Sequence, residues 1–233
     1  MNSHLNLLSQ MSLNPWFGAL PLGDRTLMLE SAEMRSLHAG EMLFRQGDAP
    51  GGLYALVEGR LKMSTLSEDG KEAIFVVMES GTWFGEISLI DHLPRTHDAT
   101  ALTTALVLVL QQQVFDTLMQ RQGFANAIAS MLAARIRLLY GIVEDATLRS
   151  THARIARRLL LLAHGDASMA RNGRPKVPVS QEALAMMLGI SRQTLSKELK
   201  LLVQQDIISL GYRCIEILSQ EKLTRYGNDA SRK

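Results

Sequence analysis

One stretch of this sequence, residues 178–218, carries residue types at a spacing that can do recognisable chemistry. Ser180 stands before Gln181-Glu182 and an apolar set, Leu184, Ala185 and Leu188. Gly189 and Ile190 follow, and Ser191 precedes a second apolar set, Leu195, Leu199 and Leu202. A serine hydroxyl accepts a hydrogen bond from first-turn N–H groups, so Ser180 and Ser191 predict two helix starts. Between them, Gly189 predicts a turn at positive φ, where glycine meets no steric penalty. Short helix, glycine turn, second helix is the helix-turn-helix layout. Away from the leucine stripe, the second helix (residues 192–203) offers Arg192, Gln193, Thr194, Ser196, Lys197 and Lys200. Arginine pairs bidentately with guanine, glutamine with adenine, and lysine with guanine or phosphate. Farther on, Ile207-Ile208-Ser209-Leu210 and Cys214-Ile215-Glu216-Ile217-Leu218 flank Gly211-Tyr212-Arg213. That pattern predicts a β-hairpin wing with Arg213 at its tip, within reach of a phosphate. Double-stranded DNA is the expected partner, and Ser180, Ser191, Arg192, Gln193, Thr194, Ser196, Lys197, Lys200 and Arg213 are the candidate contacts.

Charge distribution agrees. The net charge of +2 divides into −6 over residues 1–148 (10 Lys/Arg, 16 Asp/Glu) and +8 over residues 149–233 (15 Lys/Arg, 7 Asp/Glu). A basic module carried by an acidic one is the electrostatic footprint of nucleic-acid binding joined to another function. The competing reading is a small helical domain with a solvated basic face; the helix lengths, the hairpin and the local charge favour DNA.

The elements that must position these residues can be read backwards along the chain. A polar loop, 165–178, carries Arg171, Arg174 and Lys176, and before it Ala153–His164 is helical in pattern. From Val114 to about Arg149 there is no proline, and Ala125, Ala129, Leu132, Ile136, Leu139, Val143 and Ala146 recur at spacings of four and three. This is an a/d seam suited to pairing with a second helix, although a wide core-facing stripe gives a similar pattern. A neighbouring stripe, Phe124, Ile128, Met131, Leu138 and Ile142, is interrupted by Arg135 and suits packing on the chain's own core. Between Leu37 and Leu110, short runs such as 41–44, 53–57 and 73–77 are punctuated by glycine. These predict antiparallel strands of a sandwich or barrel, since interior glycines cost a helix about 1 kcal/mol each. Residues 1–35 read as helical and peripheral. A single cysteine, Cys214, excludes an internal disulfide and cannot alone hold an iron–sulfur cluster or zinc. No apolar run reaches bilayer length and no basic leader opens the chain, so the expectation is a cytoplasmic protein without a membrane segment.

Residues 181–202 resemble the helix-turn-helix of the CRP/FNR superfamily of bacterial regulators, and Arg154-Ile155-Ala156 resembles that family's helix leading into its DNA domain. The resemblance implies an α+β fold: a jelly-roll-like antiparallel β-barrel sensor domain (1–113), a long dimerisation helix (114–146) and a winged helix-turn-helix (147–233). It also implies a homodimer on a palindromic operator, acting with RNA polymerase. Ser191 and Arg192 match the family's recognition-helix start. Gln193 and Lys197 replace a glutamate and an arginine of the cAMP receptor, implying a different half-site. Gly85-Glu86-Ile87 to Arg95-Thr96 is similar to the phosphate-binding cassette of cyclic-nucleotide domains. Gly85 would admit a ligand close to the backbone, Glu86 accept from a ribose hydroxyl, Arg95 grip a phosphate and Thr96 add a donor. Ile87 and Tyr140 complete the expected effector set, the effector being a cyclic nucleotide or cyclic dinucleotide. Two departures stand out. His97 occupies a position usually held by alanine, and Leu139-Tyr140 replace paired hydroxyl residues that read adenine. Glu86 paired to Arg95 in an empty barrel, giving a ligand-independent regulator, is the competing reading. A cupin-type metalloenzyme is disfavoured because His38, His92 and His97 lack a metal-binding arrangement, and the chain is expected not to be an enzyme.

Overall fold

The computed structural model describes the chain from Asn2 to Gly165 and from Pro175 to Asn228. Arg171 and Arg174 of the polar loop lie outside the described residues. Two compact units emerge, one mainly from residues up to Arg135 and one mainly from Ile136 onward.

The first unit opens with three helices, α1 (Asn2–Met11), α2 (Pro15–Gly18) and α3 (Leu22–Glu30). Strands β1 (Glu33–Leu37), β2 (Met42–Phe44), β3 (Leu53–Glu58), β4 (Arg60–Leu66), β5 (Glu72–Glu79) and β6 (Trp83–Phe84) follow. After α4 (Glu86–Asp91) come β7 (Asp98–Ala101) and β8 (Ala105–Leu110), then α5 (Gln112–Met119) and α6 (Gln122–Leu148). The strands form two four-stranded sheets, β1-β8-β3-β6 and β2-β7-β4-β5, with a jelly-roll-like α+β architecture. Strand β3 explains why its sequence is apolar throughout rather than alternating. Tyr54 and Leu56 belong to the cluster shared by both sheets, with Leu37, Leu61, Met78 and Val107. Leu53, Ala55 and Val57 face the opposite way and pack with the helices. A sheet buried on both faces needs apolar residues at every position.

The helical layer makes the N-terminal segment a core element rather than a peripheral one. Asn14 caps α2 by accepting from the backbone N–H groups of Trp16 and Phe17, and this places both rings on the sheet. Phe17 stacks on Trp83 with centroids 4.9 Å apart, and Trp16 lies 5.8 Å from Trp83. The Trp16 indole donates to the Ala127 carbonyl of α6 at 2.9 Å. Large aromatic side chains dominate core energetics when buried this way.

The expected single helix 114–146 is divided into α5 and α6. The chain breaks at Gln120 and Arg121, where the Arg121 guanidinium pairs with buried Asp24. Within α6, Phe124, Ile128 and Met131 are buried against the helical layer, while Leu139 and Val143 of the seam are 58% and 61% exposed. By length and composition alone this 27-residue helix could cross a membrane, but its first turns are spent on the core of the unit.

The second unit contains the last turns of α6, then α7 (Thr151–Ala163), β9 (Lys176–Val177), α8 (Gln181–Leu188) and α9 (Arg192–Gln204). Strands β10 (Ile208–Gly211) and β11 (Cys214–Ile217) precede α10 (Gln220–Asn228). The wing is a three-stranded sheet, β10-β11-β9, because Lys176 and Val177 pair with Glu216 and Ile215. Its core joins Ile155, Leu159, Leu184, Leu195, Leu199, Leu202 and Ile215.

Phe17→Ala should destabilise the protein by about 3–5 kcal/mol, the usual range for truncating a buried phenylalanine. Urea unfolding followed by tryptophan fluorescence checks this; a loss below about 1 kcal/mol would return the N-terminal segment to the periphery.

Candidate effector pocket and DNA-reading surface

Gly85 stands at φ 95°, where a Cβ would lie 2.9 Å from the Tyr54 ring and 3.2 Å from Arg95 Nη1. Only glycine fits there without strain. The residue after it, Glu86, opens α4 and is 1% exposed. Its Oε1 accepts a short hydrogen bond from Arg135 Nη1 on α6, and Arg135 Nη2 donates to the Trp83 carbonyl at 2.5 Å. Glu86 therefore pairs with Arg135, not with Arg95, which removes the internal Glu86–Arg95 ion pair as a description of this barrel.

Arg95 is 4% exposed. Its Nη1 donates to Gly85 O at 2.8 Å and its Nη2 to Gly52 O at 3.0 Å. The guanidinium carbon lies 4.6 Å from the Phe44 centroid and 5.2 Å from that of Tyr54. Two ring faces and two carbonyls supply partial negative charge, but no carboxylate neutralises this cation among the described residues. Two buried polar atoms here lack a hydrogen-bond partner, Glu86 Oε2 and Arg95 Nε. One is an acceptor and the other a donor.

Thr96 is exposed, and its hydroxyl lies 2.7 Å from His97 Nδ1. The His97 ring meets Phe75 edge-on at 5.9 Å. Burial holds the imidazole below its ordinary value of 6.5, with Arg95 acting in the same direction and Glu86 and Asp98 opposing. Ile87 is exposed, as is Tyr140, at 71%.

In the second unit, Ser180 caps α8 by accepting from Ala183 N at 3.1 Å, and Gly189 ends that helix at φ 64°. Ser191 Oγ accepts from Thr194 N at 3.1 Å and lies 2.9 Å from Thr194 Oγ1. Ser180 and Ser191 thus have capping duties of their own, and the Thr194 hydroxyl is engaged with Ser191. Leu195, Leu199 and Leu202 are fully buried, leaving Arg192, Gln193, Lys197 and Lys200 exposed and Ser196 half-buried. At the wing tip, Arg213 adopts φ 50° and stacks over the exposed Tyr212 ring at 5.6 Å.

Sequence reasoning did not single out Arg135, Phe44, Tyr54 or Gly52 as the surroundings of Glu86 and Arg95, nor the strand at Lys176. Arg135 had left a signal, as the charged interruption of an apolar stripe. The two aromatic faces leave none, since aromatic residues in a strand pattern read equally well as ordinary core.

Comparison with known proteins bears on both units. Residues 34–122 match the family described as the cyclic nucleotide-binding domain, and residues 153–226 match the Crp-like helix-turn-helix domain. The chain belongs to the CRP/FNR superfamily of transcription regulators. Among its relatives is a CRP-like cAMP-activated global transcriptional regulator of Mycobacterium tuberculosis, 27% identical over 80% of this chain and 84% of that protein. A cyclic AMP receptor protein of Thermus thermophilus is 26% identical over 89% of this chain and 94% of the relative. A solved CRP-family regulator from Thermus thermophilus shares 26% identity at a TM-score of 0.66, covering 85% of this chain and 98% of that one. FixK2 from Bradyrhizobium japonicum, at 20% identity and a TM-score of 0.74 over 87% of this chain and 99% of its own, shares the fold. This CRP/FNR protein is a DNA-binding transcription regulator.

The His97 shift sets a pH window. The unfolded chain takes up a proton near pH 6.5, whereas the folded protein resists doing so. The unfolded state then binds more protons, so stability falls as pH drops below 6.5 and is unaffected above it. Urea midpoints at pH 7.5, 6.5 and 5.5 should decline for the wild type and decline less for His97→Gln. Parallel curves would mean that His97 titrates normally.

Proposed function

We propose that this regulator works as a homodimer whose operator affinity is set by a small phosphorylated effector, of the nucleotide class, bound in the barrel beside Gly85, Glu86 and Arg95. The observation that carries this reading is the pair of unsatisfied buried atoms, Glu86 Oε2 and Arg95 Nε. Buried polar groups are ordinarily hydrogen-bonded, and an unmade bond costs about 1–3 kcal/mol. A ligand offering a hydroxyl to the acceptor and a phosphate oxygen to the donor supplies what both lack. Such a ligand would bring the anion that Arg95 has no carboxylate to replace. Ile87 and Thr96, both exposed, remain candidates for its outer contacts, while Tyr140, the other expected effector residue, belongs to the second unit.

For the second unit, the reading assigns base contacts to Arg192 and Gln193 at the start of α9. Phosphate or further base contacts go to Thr194, Ser196, Lys197 and Lys200, phosphate contact to Arg213, and mainly a capping role to Ser180 and Ser191. In this reading the protein catalyses nothing, acts in the cytoplasm on palindromic duplex DNA, and works alongside RNA polymerase. Domain limits of 1–113, 114–146 and 147–233 mark its sensor, the α5–α6 stretch that carries the dimer seam, and its DNA-binding part.

A second reading has its own support. Arg95 already holds two carbonyls and two rings, and Glu86 already holds Arg135. A barrel satisfied to that extent can serve as a ligand-independent scaffold. The discriminating experiment measures affinity for a DNA duplex selected from a random pool, with and without a panel of cyclic mono- and dinucleotides. One nucleotide should shift wild-type affinity by about 5- to 150-fold, the usual range of coupling between sites, and Arg95→Gln should abolish that shift while leaving basal affinity unchanged. If no nucleotide alters wild-type affinity, the ligand-independent reading stands instead.

Exposed Ile136, Leu139 and Val143 support pairing of two α6 helices, which would present two recognition helices about one helical turn of DNA apart, roughly 34 Å. Replacing Ile136 and Leu139 with Asp should give monomers in sedimentation, with operator affinity reduced at least tenfold, about 1.4 kcal/mol. A wild-type monomer at micromolar concentration with full DNA affinity would refute the dimer.

A further inference from the structure

The last carbonyls of a helix have no partner within it and must find one elsewhere. In α8, Ile190 N donates to Ala185 O at 3.1 Å, and Gly189 N reaches Met186 O at a long 3.4 Å. The final carbonyl, Leu188 O, is taken by a side chain from another helix: Arg154 Nη2 of α7 donates to it at 2.6 Å. One turn farther along α7, the buried Arg158 sets its guanidinium 3.7 Å from the Met187 sulfur. Two arginines of α7 therefore hold the same end of α8, and only Gly189 and Ile190 separate that end from Ser191, the cap of α9.

The leucine core makes α8 and α9 pack, but apolar attraction is non-directional and tolerates small rotations. A guanidinium is a rigid fork, and a cation at a helix C-terminus also complements the backbone dipole. Functional groups need placement within about 0.5 Å and 10–20°. A directional bond at Leu188, four residues before the start of α9, supplies that placement.

We propose that Arg154 is a positioning residue for base reading: by fixing Leu188 O it sets the angle at which α9 presents Arg192 and Gln193 to DNA. The inference rests on the reading of α9 as the base-contacting helix. It assigns Arg154 no contact with DNA.

The test uses the full-length protein, a duplex selected from a random pool by the wild type, and a scrambled duplex of equal length. Arg154→Gln should weaken the selected duplex roughly five- to tenfold, the lower end of one good base contact, and change the scrambled duplex less than about twofold. Its salt dependence should match the wild type, because no phosphate contact is removed. Arg154→Lys should fall between the two, and it decides the matter alone if Arg154→Gln does not fold. Equal loss on both duplexes, a shallower salt slope, or an unchanged ratio of selected to scrambled affinity would each overturn the proposal. Arg192→Ala separates the two levels of the argument. If it leaves that ratio intact, the base-reading assignment of α9 is what fails; if it lowers the ratio while the Arg154 variants do not, only the positioning role is lost.

Discussion

Burying the Glu86 carboxylate obliges the molecule to bring a cation to it, and that cation comes from α6. An isolated buried carboxylate is far too costly to persist, and removing one partner of a buried pair typically costs about 3–5 kcal/mol. Arg135 answers this, bonding Glu86 and the Trp83 carbonyl together. Much else follows from where Arg135 sits. It continues the Phe124, Ile128 and Met131 stripe at helical spacing, so the ion pair and the apolar contacts specify the same rotation of α6. Later on the same helix, Leu139 and Val143 face solvent.

Arginine does comparable work elsewhere, each time in a different chemical setting. Arg95 lies over two neighbouring aromatic rings with two carbonyls as acceptors, a site that stabilises a cation without cancelling its charge. In the second unit, buried Asp145 near the end of α6 accepts from Arg149 Nε at 2.9 Å and from Arg157 Nε at 2.7 Å. That pair ties the last turns of α6 to α7, and Arg154 then ties α7 to the end of α8. The path from the last turns of α6 to α9 is thus made of directional bonds set upon an apolar core. Directional contacts suit a regulator, because a shift in one of them changes orientation without unfolding the unit.

Some of this was legible in the residues alone, and the reason is locality. Ser180, Gly189 and Ser191 act on backbone groups within three or four positions of themselves, so their caps and turn follow from residue type and spacing. The burial of Leu195, Leu199 and Leu202 follows from a repeat of three and four on one helix. The same holds for the wing hairpin, where Gly211 and Cys214 pair across a two-residue turn. Arg95 reaches the Gly85 carbonyl because only a short helix and turn separate the two along the chain.

What tertiary structure alone decided is which distant group each of those residues meets. Strand order places β8 between β1 and β3 and brings Val109 opposite both Glu33 and Tyr54, a pairing that glycine punctuation cannot specify. Nothing near Arg95 in the chain indicates that Phe44, Gly52 and Tyr54 will surround it, nor that Glu86 will choose Arg135, 49 positions away. The peripheral reading of the N-terminal segment failed for the same reason. Its aromatic residues are apolar enough to bury, but the surface they cover, Trp83 and Phe124, is assembled from later parts of the chain. Caps, turns and helical stripes are decided by neighbours in sequence; buried charges and aromatic faces are decided by whichever partner packing makes available, because their cost is set by the surroundings and not by the residue itself.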